Sequence, residues 1–294
     1  MRDPKRHRFF YAKLGRANTL AERCLNGDTP IGCMAVPIFF DLRADTRAQF
    51  EREGSAKEQG RNFFWCSDHP ENAFIIVLHQ AELHILRPVA EAQFFRCSKK
   101  FGYADAGDYV KFLPVEAMRK YPFSEIPLIL SSMSANAYYY MGTFREITDY
   151  GNVLALQHLV GIDAMPVTTA QDIIRCLSST ELETLTAKIF EESGCFVPSY
   201  MGGVLKDVDI IARNTSENII RVFDTEIAPR QGVSIQVKRS TGNTSQPGCD
   251  ILISGERDAE TVVTLAKASP RTKRWLSDSL HWLPNEARIM FDLE

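Results

Sequence analysis

The sequence predicts an α/β protein of two domains, in which a β-rich N-terminal half precedes an α+β sandwich around a mixed sheet. Three observations lead there. The chain has 294 residues, and a domain takes about 100–200. Its last third runs helix, several short strands, then strand and helix, an order that covers a mixed sheet with helices. Its first half holds short apolar runs broken by turn residues, the pattern of strands.

Along the first half, residues 9–15 read as a strand entering a turn, and residues 18–25 as a short helix with Asn18 as its N-cap and Asn26-Gly27 as its stop. Residues 31–40 are strand-like, and Pro37 marks an edge or a break. Residues 44–59 are charged and helical, with little apolar face. Residues 62–66 are rich in aromatics, and 67–72 form a turn. Residues 73–78 and 82–86 read as paired strands or as one long bent strand. The prolines at 114, 122 and 127 make the next stretch hard to assign. Residues 143–162 suggest helices around a break at Gly151, and 166–169 a linker.

The last third is clearer. Residues 178–193 form an amphipathic helix with Leu182, Leu185, Ile189 and Phe190 on one face. Ser178 or Ser179 caps it, Glu181 or Glu183 completes a capping box, and Gly194 ends it. Strands follow at 196–200, 208–212, 219–223, 233–238 and 250–254, with a turn at Gly202-Gly203 and a helix at 259–268.

Apolar residues make up 45% and charged residues 24%, an ordinary soluble composition. No apolar run approaches the ~20 residues of a membrane-spanning helix, and no signal-peptide core follows the basic N-terminus. The seven cysteines are scattered without a CxxC pair, which argues for reduced thiols in a cytoplasm and against a zinc ribbon. With 34 basic against 37 acidic residues, the chain is no polybasic protein, though basic groups can still gather in one cleft. His79 and His84, five apart, fall on opposite faces of a strand and make poor co-ligands. Tyr138-Tyr139-Tyr140 reads as packing.

The chemistry gathers in three places. Lys206-Asp207-Val208-Asp209 alternates acidic and apolar residues at a strand start. In Ser234-Ile235-Gln236-Val237-Lys238, alternation puts Gln236 and Lys238 on one face and turns Ile235 and Val237 into the core. Glu183 stands on the preceding helix. Metal-assisted phosphodiester hydrolysis needs such parts: hard oxygen ligands for Mg²⁺ and a cation beside an attacking water. Asp209, the Gln236 side-chain oxygen and the Val237 carbonyl supply metal ligands, with Lys238 beside them.

This order of residues resembles the PD-(D/E)XK nuclease superfamily, most closely its Mrr-type branch, in which Gln replaces the second acidic residue and the motif reads D…QxK. The resemblance covers about the last 120 residues. It implies a restriction-endonuclease-like sandwich over 170–294 and Mg²⁺ (or Mn²⁺) as cofactor. It also implies Asp209, Gln236, Lys238 and Glu183 as catalytic residues, with Asp209, Gln236 and Val237 at the metal. Asp207 is a spare carboxylate. The 27 residues from Asp209 to Gln236 imply an elaborated connection over 214–231.

The N-terminal half, 1–165, is similar to PUA/EVE-like domains through residues 10–16, the following helix and Phe63-Phe64-Trp65. That similarity implies a small β-barrel able to hold a flipped, modified base against aromatic side chains, with Trp65, Phe63, Phe64, Tyr11 and Phe39 available. Together these readings lead to the expectation of a cytoplasmic homodimeric endonuclease that restricts foreign or modified double-stranded DNA in phage defence. One alternative is a defence nuclease gated by a ligand or partner on the N-terminal domain. Another is a non-catalytic DNA-binding protein, against which the intact Asp209, Gln236 and Lys238 argue.

Overall fold

The computed structural model describes residues 7–53, 57–135, 143–205, 208–239 and 248–294. Asp207 and Tyr138-Tyr139-Tyr140 lie outside the described residues. The chain divides into two compact units, one of Met1–Ile126 with Leu130–Asp149, the other of Pro127–Ile129 with Tyr150–Glu294. Residues 150–165, placed with the first domain on sequence, thus belong to the second unit.

The first unit holds strands β1 (Arg8–Ala12), β2 (Ala35–Ile38), β3 (Ala73–His79), β4 (Glu82–Pro88), β5 (Gln93–Arg96), β6 (Tyr109–Pro122) and β7 (Phe144–Glu146). Its helices are α1 (Ala21–Leu25), α2 (Arg47–Glu53) and α3 (Lys57–Asp68), and α4 (Leu128–Ser131) contributes residues to both units. The strands form one curled mixed sheet in the order β2-β6-β4-β3-β1-β7, with β5 also on β6. Only β1 and β3 run parallel. The curl stops at a half-barrel, since among the described residues no pairing joins the end strands β2 and β7. Pro37 sits on β2, an edge strand, where its missing N–H breaks no ladder. Gln80 and Ala81, both left-handed at φ 51 and 59, make the two-residue turn of the β3–β4 hairpin. The aromatic stretch 62–66 lies on α3, not on a strand.

In the second unit the predicted break at Gly151 is instead the interior of a helix, α5 (Tyr150–Val160). Glycine stands there because a Cβ would come 2.0 Å from the Arg175 carbonyl oxygen. Two helices with complete capping boxes follow: α6 (Ala170–Arg175), capped by Thr169 with Asp172, and α7 (Ser179–Glu192), capped by Ser178 with Glu181. The predicted linker at 166–169 is therefore the entry to α6. Helix α7 buries Leu182, Leu185, Ile189 and Phe190, the face its periodicity predicts.

Strands β8 (Cys195–Leu205), β9 (Val208–Asn214), β12 (Gly232–Lys238) and β13 (Ile251–Ser254) form a four-stranded sheet in the order β13-β12-β9-β8. Strand β9 runs antiparallel to both β8 and β12, and β13 lies parallel to β12. Helix α7 packs on β8, β9 and β12. Gly202-Gly203 do not turn the chain. They lie inside β8, where the register with β9 slips between Tyr200 and Leu205, and glycine tolerates the irregular backbone of such a bulge.

The elaborated connection over 214–231 is a separate hairpin of β10 (Ile220–Val222) and β11 (Thr225–Ile227). The strand expected at 219–223 is thus no member of the main sheet. Buried Asn214 ties the hairpin down, donating from Nδ2 to the carbonyls of Asn218 and Ile227 at 2.7 and 2.9 Å. Helices α8 (Ala259–Ala268), α9 (Pro270–Ser279) and α10 (Asn285–Met290) finish the chain. No helix among the described residues is long and apolar enough to cross a membrane.

Candidate active site

Strand alternation divides β9 and β12 into two faces. Ile210, Ala212, Val233, Ile235 and Val237 are buried on one, which is why these strands stay in register. Asp209, Gln236 and Lys238 stand on the other. The ladder pairs Ile235 with Ile210, so one step further Gln236 faces Asp209. Here the main-chain ladder gives way to a side chain, and Asp209 Oδ2 accepts the Val237 N–H at 2.7 Å. That bond fixes the Asp209 carboxylate against β12 and leaves its other oxygen for a ligand.

Glu183 reaches the same place from the first turns of α7. Burial pushes its carboxyl above the ordinary range, the negative charge of Asp209 raises it further, and Lys238 pulls it down. The three groups are therefore neighbours in one electrostatic field. Gln236 is only 5% exposed, and its amide makes no hydrogen bond among the described residues. Lys238 is exposed at the end of β12. The residue after it is anchored, as Arg239 Nη2 donates to the Arg175 carbonyl at 3.0 Å. At the other end of β12, Ser234 N–H and Oγ–H both donate to Asp250 Oδ2, at 2.7 and 2.8 Å, and lock β13 alongside.

The four residues expected to carry chemistry thus converge, from one helix and two strands. Their donors are two carboxylates and an amide oxygen, next to the main-chain carbonyl of Val237. This is an all-oxygen set, suited to Mg²⁺ rather than to a softer metal. The cost that the Asp209 charge adds to ionising Glu183 would be relieved by a cation between them. Among the described residues no group of three His, Cys, Asp or Glu side chains forms a metal site.

The aromatic residues proposed for base binding lie elsewhere in character. Phe63, Phe64 and Tyr11 are core residues, 0%, 3% and 4% exposed. Trp65 is half-buried, with His69 stacked on it at 4.8 Å and the Arg8 guanidinium 4.2 Å from its ring. Phe39 lines a cavity of about 310 Å³, together with Lys13, Arg16, Phe40 and Tyr103. The available signal was Lys13-Leu14-Gly15-Arg16 directly after β1, which sequence reading took as a strand entering a turn and as part of the PUA/EVE-like similarity, without singling out Lys13 and Arg16.

The histidine argument also changes. The hairpin pairs His79 with Glu82 and Val77 with His84, so both imidazoles stand on one face. Counting positions along a single strand overlooked the two-residue turn between them. Glu82 is held by Lys120 at 2.8 Å. Burial lowers the His84 pKa, with Glu82 opposing the shift.

No family model matches the chain, and no curated protein or solved structure is similar to it.

Proposed function

We propose that the chain is a divalent-metal-dependent endodeoxyribonuclease acting on foreign or modified double-stranded DNA, with the PD-(D/E)XK type of site. The observation that carries this reading is the meeting of Glu183, Asp209, Gln236 and Lys238 at one end of the β9–β12 pair. In this reading Asp209, Glu183, the Gln236 oxygen and the Val237 carbonyl hold Mg²⁺. The bound cation neutralises phosphate charge and acidifies water. Asp209 is oriented for that task by the Val237 N–H. Lys238, exposed at the strand end, donates to the attacking water and to the scissile phosphate, positioning one against the other. A single such site cuts one strand, so cleavage of both calls for two copies of the chain.

The test is cleavage of paired DNA substrates that differ only in base modification, with Mg²⁺ present. Asp209→Ala and Lys238→Ala should each reduce cleavage by about a hundredfold or more, Lys238→Ala with an unchanged melting curve and Asp209→Ala still folded but melting somewhat earlier, because the Val237 N–H loses its acceptor. Gln236→Glu should retain more activity than Gln236→Ala, because it keeps an oxygen ligand. An Asp209→Ala variant that cuts at the wild-type rate removes the assignment.

A further inference from the structure

The first unit contains open space bounded by two kinds of side chain. Lys13 and Arg16 line a cavity of about 310 Å³ together with Phe39, Phe40 and Tyr103. We propose that this cavity binds a nucleoside monophosphate, with its base against Phe39 and Tyr103 and its phosphate at Lys13 and Arg16. The proposal goes beyond the nuclease reading and rests on residues of the first unit alone.

The size fits a small ligand, at the lower end of the ~300–1,000 Å³ of small-molecule pockets. The walls fit a planar ring. Phe39 and Tyr103 stand 5.5 Å apart and nearly perpendicular, at 88°, offering a face and an edge. Phe101 stacks on Phe39 at 6.1 Å and holds it in place. Between Phe101 and Tyr103, Gly102 is left-handed at φ 58, and a Cβ there would come 2.7 Å from the Phe39 ring. Only glycine lets this loop close on Phe39. Tyr103 is nonetheless 52% exposed, an uncommon cost for a residue with no role toward solvent.

The wall is also rigid. Lys111 is fully buried and donates from Nζ to the carbonyls of Phe40, Asp41 and Tyr109. Burial pushes its pKa down to about 8. A lysine sunk into the core pins the backbone that carries Phe39 and Phe40, which removes ordering cost from ligand binding.

The cationic side is strained. Ala17 and Asn18 are both left-handed, at φ 50 and 60, a conformation L-residues hold only when the surroundings impose it. Asn18 imposes it, accepting from Leu14 N–H and donating to the Leu78 carbonyl, each at 2.7 Å. The turn displays Arg16 to solvent, with no ion pair among the described residues. Lys13 is held by its own N–H, which donates to the Thr143 carbonyl at 2.8 Å. Two cations beside an aromatic wall match an aromatic anion, and a nucleotide is such an anion.

The experiment is calorimetric titration of the full-length protein with AMP, GMP, CMP and UMP, then with the matching nucleoside and with inorganic phosphate. At least one monophosphate should saturate a single site, and its nucleoside and phosphate should each bind at least about tenfold more weakly. Arg16→Ala and Tyr103→Ala, both exposed and so compatible with folding, should each weaken it by about tenfold or more, the loss expected for a stacking or charged partner. Asp209→Ala should bind as wild type does, which separates this site from the nuclease assignment. The proposal is overturned if no monophosphate saturates, if both variants bind as wild type, or if only a single-stranded oligodeoxynucleotide binds.

Discussion

Glu183 illustrates how a residue of the candidate site works against the fold that carries it. Its carboxyl is held above its ordinary range, first by burial and then by Asp209. The sign follows from linkage. A raised acid binds its proton more tightly in the folded state, so stability falls as pH climbs from the ordinary Glu range, about 4.3, through the raised value. Above that raised value the whole cost is present. Glu183→Gln should therefore raise the melting temperature of the metal-free protein at pH 7, by on the order of 1–3 °C, while lowering cleavage. The gain should vanish below about pH 4, where wild type is neutral too. A variant that melts lower, or equally at both pH values, means that ionising Glu183 carries no such cost in the folded protein. The shared face of Gln236 and Lys238 was readable in the sequence because strand alternation fixes it without further information. Trp65 was less readable. Aromatic composition does not distinguish a stacking wall from a core, and the partners that occupy Trp65, Arg8 and His69, become visible only in three dimensions.

At the scale of elements, helix ends were legible and close approaches were not. Ser178 and Glu181 announce the start of α7 through a local motif, and the capping box forms as expected. Gly151 looked like a break because glycine usually is one, yet its reason lies 24 positions away, at the Arg175 carbonyl. A side-chain-free residue at such a crossing leaves no local signature. Gly202-Gly203 misled for the same reason, since bulge and turn both favour glycine. The Gly151 argument makes a prediction against propensity. Alanine favours a helix interior by ~0.5–1 kcal/mol over glycine, so Gly151→Ala would stabilise α5 in isolation. In the whole protein its Cβ meets backbone at 2.0 Å, and the helices must move apart. The expected result is a loss of about 3 kcal/mol, read by chemical denaturation. Wild-type stability or better would mean that α5 does not cross Arg175 this closely.

At the scale of the molecule, two domains were predictable from length alone, but not where they part. Residues 150–165 contain the apolar pattern of a helix, and a pattern does not say which core it joins. Specific contacts assign α5 to the second unit. The Tyr150 hydroxyl donates to the Pro166 carbonyl at 2.6 Å, Gln157 Oε1 accepts the Met165 N–H at 3.0 Å, and His158 lies 6.4 Å from the Trp282 ring. A fragment starting at residue 170 would strip all three and uncover apolar surface on α6, where Ile173 and Ile174 are fully buried in the intact chain. A fragment starting at residue 148 keeps them. It lacks only Pro127–Ile129 of its own unit, and Ile129 touches Gly151, so it should fold somewhat less stably than the intact chain. The 148–294 fragment should therefore show a single cooperative melt and dispersed amide resonances. The 170–294 fragment should melt earlier by several kcal/mol, each buried aliphatic side chain it uncovers being worth ~1.5–3, or aggregate. If the shorter fragment is as stable as the longer one, α5 belongs to no core of the second unit, and the boundary lies near residue 165 after all. Metal-dependent cleavage by the longer fragment, without the selectivity of the full chain, would in addition place the chemistry in the second unit and the discrimination in the first.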